Sequence, residues 1–469
     1  MNMAGTVRAR WLAFLLLAVV VSRIPLLFSC YSNDPDAWRV ARVGKEFWQT
    51  GIYTASRFPG YPVNEIAEGL AVLAGGSFLS NTTTLALSLV LIAAWYRFAE
   101  KHTVSPKLLT LLLAFTPLFW IDSASTMDYV WSLLFIFLAF SAAQQGRAVP
   151  AGVWLGIAIG CRPTNGVAVI PVFMVLSLHP GSKKPLVAFM LTFVGTALVA
   201  FLPILITYGP VGWIRRTLVE TSDVHLSLVQ RVQSFLYRSV YSLGPLAALG
   251  FVAILLSGRR KLVEFYRQRD PLMVASVAGV LSFAVLFAVF PLDKSYLLPA
   301  FPFLFLIAER VASRRMLITV TLCVASFAFI NPDVIRHARP VGTPGFNIHP
   351  GLVIEELQSR DRVMKDRNTL PGLLIKGKAV VMLATSESFW YENDQVEIDT
   401  LEQWKVFDDV FSHSKSNADL HFTSGLSLSA VHALETEGYT VYCVDWARDL
   451  LLKWNGYDPL QEGVRLITR

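Results

Sequence analysis

Asp34 and Asp36 stand one residue apart in Ser32-Asn33-Asp34-Pro35-Asp36-Ala37-Trp38, just after an apolar run that ends at Phe28. A carboxylate held at a partly desolvated surface can act as general base toward an acceptor hydroxyl or amine. Nearby Arg and Lys side chains can stabilise a phosphate leaving group. The same aspartates can instead cap the helical pattern that follows, since Asp ahead of a helix accepts from its first free backbone N–H groups. Local spacing leaves both readings open. The pair can also share a divalent cation, but no His or Glu cluster points toward it, so no metal ligand is assigned.

The elements that must position these groups are membrane helices. Hydrophobic residues make up 54% of the chain and charged residues 16%, with a mean hydropathy of +0.49. A soluble chain carries about a quarter charged residues. The apolar residues cluster into about eleven candidate spans, at 11–28, 84–98, 108–121, 129–143, 149–161, 166–178, 185–208, 236–256, 271–290, 296–308 and 316–330. Several need flanking residues to cross a hydrocarbon core of about 30 Å. Residues 1–330 therefore read as a polytopic α-helical membrane domain. The first run follows Arg8 and Arg10 and ends in Pro25 and bulky Leu26, Leu27 and Phe28 without a small-residue cleavage site, so it reads as a retained span.

Charge sidedness gives the orientation. With the N-terminus cytoplasmic, the inner loops collect Arg97, Lys101, Lys107, Arg147, Lys183, Lys184, Arg259, Arg260, Lys261, Arg267, Arg269, Arg310, Arg314 and Arg315. The outer loops hold Asp34, Asp36, Asp122, Asp128, Asp223 and Asp293; Arg215 and Arg216 run against the trend. The net charge of +7 thus belongs to membrane loops. Without a basic, aromatic-interleaved helix or zinc spacing, nucleic acid is excluded as a partner. Cys30, Cys161, Cys323 and Cys443 form no CxxC pair, which indicates neither a metal cage nor a disulfide framework.

Beyond residue 330 the chain turns polar. Strand-like stretches at 379–383 and 440–444 alternate with a helical pattern at 429–437, so 331–469 reads as a soluble α/β domain, extracytoplasmic by the span count. Its Trp390, Tyr391, Trp446 and Trp454 can stack on sugars, but small α/β cores use such residues more often.

The first outer loop, 29–83, combines an amphipathic interfacial pattern from Trp38, a rigid turn from Gly51 to Pro62, and an apolar surface helix interrupted by Gly75-Gly76. Asn81-Thr82-Thr83 fits an N-glycosylation sequon.

The order of these features resembles the GT-C superfamily of membrane glycosyltransferases, which take sugar from polyprenyl-phosphate donors. The residues that carry the resemblance are Asp34-Pro35-Asp36, Gly51-Ile52-Tyr53, Arg57-Phe58-Pro59-Gly60-Tyr61-Pro62, Met127-Asp128, Cys161-Arg162-Pro163-Thr164 and Asp293-Lys294-Ser295-Tyr296-Leu297-Leu298-Pro299. The likeness covers residues 11–330.

The resemblance implies sugar transfer to an acceptor on the extracytoplasmic face, with a first-loop acidic residue, Asp34 or Asp36, as base. It makes Asp128 a second acidic candidate, against a plain helix-cap reading. Arg57, Arg162, Lys294 and Tyr296 fall at outer positions where a lipid phosphate needs cationic and hydroxyl donors. Interfacial anchoring competes for Arg162, Lys294 and Tyr296. Arg23, inside the first span, either pairs with Asp34, Asp36 or Asp128, contacts donor phosphate, or snorkels. His225 reads as solvated.

A lipid-sugar-dependent glycosyltransferase is the leading function, with a glycan, lipid or protein acceptor left open. A transporter or flippase is disfavoured because no inverted repeat or paired broken midplane helices are evident. A catalytically silent scaffold is the third reading.

Overall fold

Glycine and proline decide where this chain's helices break. The computed structural model describes residues 3–178, 183–222, 226–333, 347–369, 378–383, 405–407, 410–414, 420–423, 428–448, 458 and 464–467. Asp223, His225, Trp390, Tyr391 and Trp454 lie outside the described residues.

The helices are α1 (Met3–Leu27), α2 (Pro35–Thr50), α3 (Pro62–His102), α4 (Pro106–Ala114), α5 (Pro117–Asp122), α6 (Asp128–Gln144), α7 (Ala148–Cys161), α8 (Val169–Ser177), α9 (Lys183–Ser222), α10 (Leu228–Leu243), α11 (Pro245–Ser257), α12 (Arg259–Arg267), α13 (Pro271–Val289), α14 (Phe301–Val311), α15 (Arg314–Ser326) and α16 (Leu352–Thr369). Two 3-10 segments, Pro163–Ala168 and Lys294–Ala300, precede α8 and α14.

The chain divides into two compact units. The first comprises Met1–Phe28 with Val40–Glu355, and the second Ser29–Arg39 with Glu356–Arg469.

In the first unit, α1, α3, α9 and α13 are, among the described residues, long and apolar enough to cross a membrane; α10 and α11 make a fifth if that bent pair is one span. Along α9, Leu191, Val199 and Ile206 are each about 70% exposed. Such a continuous apolar surface suits lipid rather than water. The chain is an integral membrane protein.

Several expected spans are broken. The apolar stretch from Leu108 stops at Ala114 and restarts after Thr116, where Pro117 opens α5. The span expected at 166–178 is a 3-10 turn followed by α8, and the one at 296–308 is a 3-10 turn followed by α14. The span expected at 236–256 is two helices meeting at 95°, because Gly244 adopts φ 92° and Pro245 starts α11 afresh. Conversely, the surface helix and second span run together as α3, interrupted by non-helical Gly75 and Gly76.

A small-residue seam joins α7 to α9. Gly152, Gly156 and Gly160 recur every fourth residue, and a Cβ at Gly156 would sit 2.5 Å from Thr196 Cβ. At Gly160 it would sit 2.7 Å from Ala200 Cβ. Only glycine lets two membrane helices approach this closely. The seam fixes the end of α7, where Arg162 follows.

Among the described residues, the second unit holds a sheet of six strands in the order β4-β5-β6-β3-β7-β8, built from β3 (Ala379–Met382), β4 (Lys405–Phe407), β5 (Val410–Ser414), β6 (Leu420–Thr423), β7 (Thr440–Val444) and β8 (Arg465–Ile467). The pairs β3–β6, β3–β7 and β7–β8 are parallel, and β4–β5 and β5–β6 antiparallel. Central β3 is buried throughout, as a strand covered on both faces must be. Helix α17 (Leu428–Thr436) sends Ala430, Val431 and Leu434 into the same core. Trp446 packs against that core and donates to Asp366 at 2.6 Å, so it fills structure there. Two short strands, β1 (Ile330–Asp333) and β2 (Asn347–Pro350), pair antiparallel in the first unit.

Candidate functional site

The acidic turn belongs to the second unit and is built around Ser32. Its carbonyl accepts from Trp38 Nε1 at 3.0 Å and from the Cys30 thiol at 3.3 Å. Its hydroxyl accepts from the backbone N–H of Asp34 at 3.2 Å. Asp34 Oδ1 accepts from the Asp36 N–H at 2.9 Å, and Pro35, which has no N–H to satisfy, opens α2. Asp34 therefore caps the helix. That role engages Oδ1. Asp36 Oδ1 meets Arg39 Nη1 at 3.2 Å. Burial pushes the Cys30 thiol up to about 12.

The turn is also held by α16. Glu356 Oε1 accepts from the Ser32 hydroxyl and the Asn33 N–H, and Oε2 from Asn33 Nδ2, each at 3.4 Å. Arg360, fully buried, donates to Glu356 Oε1 at 2.7 Å and to Ser29 Oγ at 3.2 Å.

The cationic cluster lies in the first unit. Asp128 is the first residue of α6 and fully buried. Its carboxylate does not serve as a simple cap. Oδ2 accepts from Arg162 Nη1 at 2.7 Å and Oδ1 from Arg57 Nη2 at 3.2 Å. Arg162 follows α7, where Pro163 forces the turn. Its guanidinium stacks 4.2 Å from the Tyr129 ring and 4.4 Å from the Tyr296 ring. Arg57 stacks 4.0 Å from Tyr61. At 2% exposure Arg162 is no snorkelling anchor. Tyr129 donates to Asp293 Oδ2 at 2.7 Å, while Asp293 Oδ1 caps the 3-10 turn bearing Lys294 and Tyr296.

The loop that carries Arg57 is pinned by a residue that sequence reasoning missed. Buried Glu65 accepts from Ser56 N–H at 2.9 Å, from Tyr61 N–H at 3.2 Å, and from the Tyr53 hydroxyl. From α9, Trp213 donates to the Pro59 carbonyl at 2.8 Å, and the Tyr208 hydroxyl accepts from Ala55 N–H at 3.1 Å. Burial raises the Tyr53 phenol well above its usual range and Tyr61 to about 12, in the latter case against the pull of Arg57 and Arg162. The available signal was a pair of carboxylates, Glu65 and Glu68, inside an otherwise apolar helix.

Two further residues have other surroundings. Lys294 sits 5.4 Å over the Tyr241 ring. Fully buried Arg23 donates to Ser22 Oγ at 2.7 Å, Ser123 Oγ at 3.3 Å and the Ala114 carbonyl, with its guanidinium over Trp120. It satisfies a carbonyl freed where α4 stops, rather than meeting Asp128 or snorkelling. Asn81 is buried within α3 and accepts from the Thr126 hydroxyl at 3.1 Å, which removes it as a glycan acceptor in the fold.

No protein-family profile matches the chain, and no curated protein does. Among solved structures, the crystal structure of ArnT from Cupriavidus metallidurans bound to undecaprenyl phosphate aligns with a TM-score of 0.50 at 16% identity, over 68% of this chain. The fold is GT-C. The alignment spans 62% of the ArnT chain, so the likeness to a GT-C protein is one of fold. The apo form of the same protein aligns at 15% identity with a TM-score of 0.45. Within this GT-C fold, Asp128, Arg57, Arg162 and Tyr296 converge from four separate segments.

Proposed function

We propose that this protein is a glycosyltransferase that moves a sugar from a polyprenyl-phosphate carrier to an acceptor on the extracytoplasmic face, through a membrane domain of about eleven crossings and an extracytoplasmic α/β domain at 331–469. One observation carries the reading: the guanidinium groups of Arg57 and Arg162 converge on the buried carboxylate of Asp128, with Tyr61, Tyr129 and Tyr296 stacked on them. The cluster holds two planar cationic groups with fixed N–H donors in a setting where water screens little. A phosphate monoanion or diester is the ligand such a site suits, since planar guanidinium groups match its oxygens. ArnT, of the same fold, was crystallised with undecaprenyl phosphate.

The reaction is one displacement. The acceptor oxygen or nitrogen forms a bond to the anomeric carbon as the bond from that carbon to the phosphate oxygen breaks. Asp34 or Asp36 takes the acceptor proton, and the electron pair leaves on polyprenyl phosphate. Direct attack inverts the anomeric centre. Arg57 and Arg162, with Tyr296 and Lys294 beside the same segments, stabilise the charge that grows on phosphate.

The test is incubation of the purified full chain with a panel of polyprenyl-phosphate sugars and candidate acceptors, scoring release of lipid phosphate. Release with one donor supports the assignment. A panel that binds but never turns over, together with movement of donor between leaflets of proteoliposomes, favours a flippase instead.

A further inference from the structure

We propose that Glu356, with Arg360 behind it, is the positioning residue for the Asp34–Asp36 turn, so that the second unit sets the geometry of proton abstraction. The inference rests on the assignment of that pair as the base. The catalytic question for a carboxylate on a short turn is what fixes its direction, because a misplacement of about 1 Å can cost about a hundredfold in rate.

Inside the second unit the turn is fixed from outside its own sequence. Asp34 bonds to Ser32 through its backbone N–H, and Ser32 in turn donates to Glu356. Asn33, the next residue, gives Glu356 both its backbone and its side-chain N–H. One carboxylate therefore gathers three donors from the two residues that immediately precede Asp34. A carboxylate can accept at about four lone-pair sites, and Arg360 takes another.

Arg360 makes this arrangement hard to relax. It is fully buried, pairs with Glu356, and also donates to Ser29 at the start of the same segment. The clamp thus grips residues 29 and 32–33 on either side of Cys30, itself buried. Further along α16, buried Asp366 accepts from Trp446 Nε1 at 2.6 Å, directly after β7. Helix α16 is a strut with the sheet at one end and the acidic turn at the other. A clamp serving stability alone could have used apolar packing, whereas Glu356 takes its donors from Ser32 and Asn33, the residues that aim Asp34.

The experiment compares Glu356→Ala and Glu356→Gln with the natural chain in transfer assays, alongside hydrogen exchange of the full-length protein in detergent. Glu356→Ala is expected to lower kcat at least about tenfold while the donor KM stays within about twofold, because the cationic cluster is untouched. Exchange should rise in residues 29–39 and stay unchanged in β3 and β7. Glu356→Gln keeps one carbonyl acceptor while its NH2 end must face a donor, so it should recover part of kcat and fall between Glu356→Ala and the natural chain. Wild-type kcat in Glu356→Ala overturns the inference while leaving the base assignment intact. So does exchange that rises equally in the turn and the sheet, which marks general destabilisation. Full transfer by Asp34→Asn combined with Asp36→Asn overturns both, and so separates the two failures.

Discussion

Arg162 Nη1 lies 2.7 Å from Asp128 Oδ2, and neither side chain is more than 2% exposed. The two residues are 34 positions apart, on the end of α7 and the start of α6. A buried pair of this kind adds little net stability over apolar packing, but losing one partner strands the other charge. Asp128→Ala should therefore cost about 3–5 kcal/mol, read as a lowered unfolding temperature in detergent. Unchanged stability would mean that Arg57 and Arg162 find other counter-ions.

Arg162→Lys keeps the charge and removes the planar face that stacks on Tyr129 and Tyr296. Lysine presents a point charge on a flexible stem, so donor affinity is expected to fall about tenfold, with less effect on folding. Titration with polyprenyl phosphate measures this directly, and equal affinity would remove the guanidinium plane from donor recognition.

Glu65→Ala would leave the Tyr53 hydroxyl and the N–H groups of Ser56 and Tyr61 without their acceptor. Each lost bond costs about 1 kcal/mol or more. The loop bearing Arg57 should loosen, so donor affinity and thermal stability should fall together. Glu65→Gln is expected to fall between the two, because its NH2 end must face a donor. If donor affinity survives Glu65→Ala, the loop is held by Trp213 and Tyr208 instead.

Some of this architecture was legible. Periodic apolar runs identified the membrane class, and the GT-C resemblance, drawn from short motifs, agrees with the fold. Arg57, Asp128 and Tyr296 were readable as candidates, but their convergence was not, because it is made by helix packing between distant segments. The helix breaks were not legible for a different reason. Hydropathy averages across Pro117 and Gly244, whereas the backbone breaks at both. Glu356 and Arg360 carried a signal in their i,i+4 spacing on a helix, which reads equally well as an exposed surface pair. Burial, which sequence does not reveal, distinguishes the two.

The α7–α9 seam admits no side chain at Gly156. Gly156→Leu should push the helices apart and cost at least about 1–3 kcal/mol, with loss of donor affinity because Arg162 follows the same helix. Unaltered melting would show that the two helices can slide past one another without strain.

The Cys30 and Cys443 thiols are raised to about 12 by burial, against an ordinary value of 9.0. Folded thiols keep their protons where unfolded ones lose them. Their contribution to stability is complete below about pH 9 and is lost as pH rises toward about 12. Maleimide should label neither thiol in the native chain at pH 7.5 and both after unfolding. Rapid native labelling would contradict the buried turn around Ser32.

The most direct measurement of the account is single-turnover sugar transfer by Asp34→Asn, Asp36→Asn and the double variant, each first shown to bind polyprenyl-phosphate donor as the natural chain does. The account predicts that the double variant, and at least one single variant, lose transfer by about a thousandfold or more with donor binding retained. Transfer at the natural rate by the double variant would contradict it.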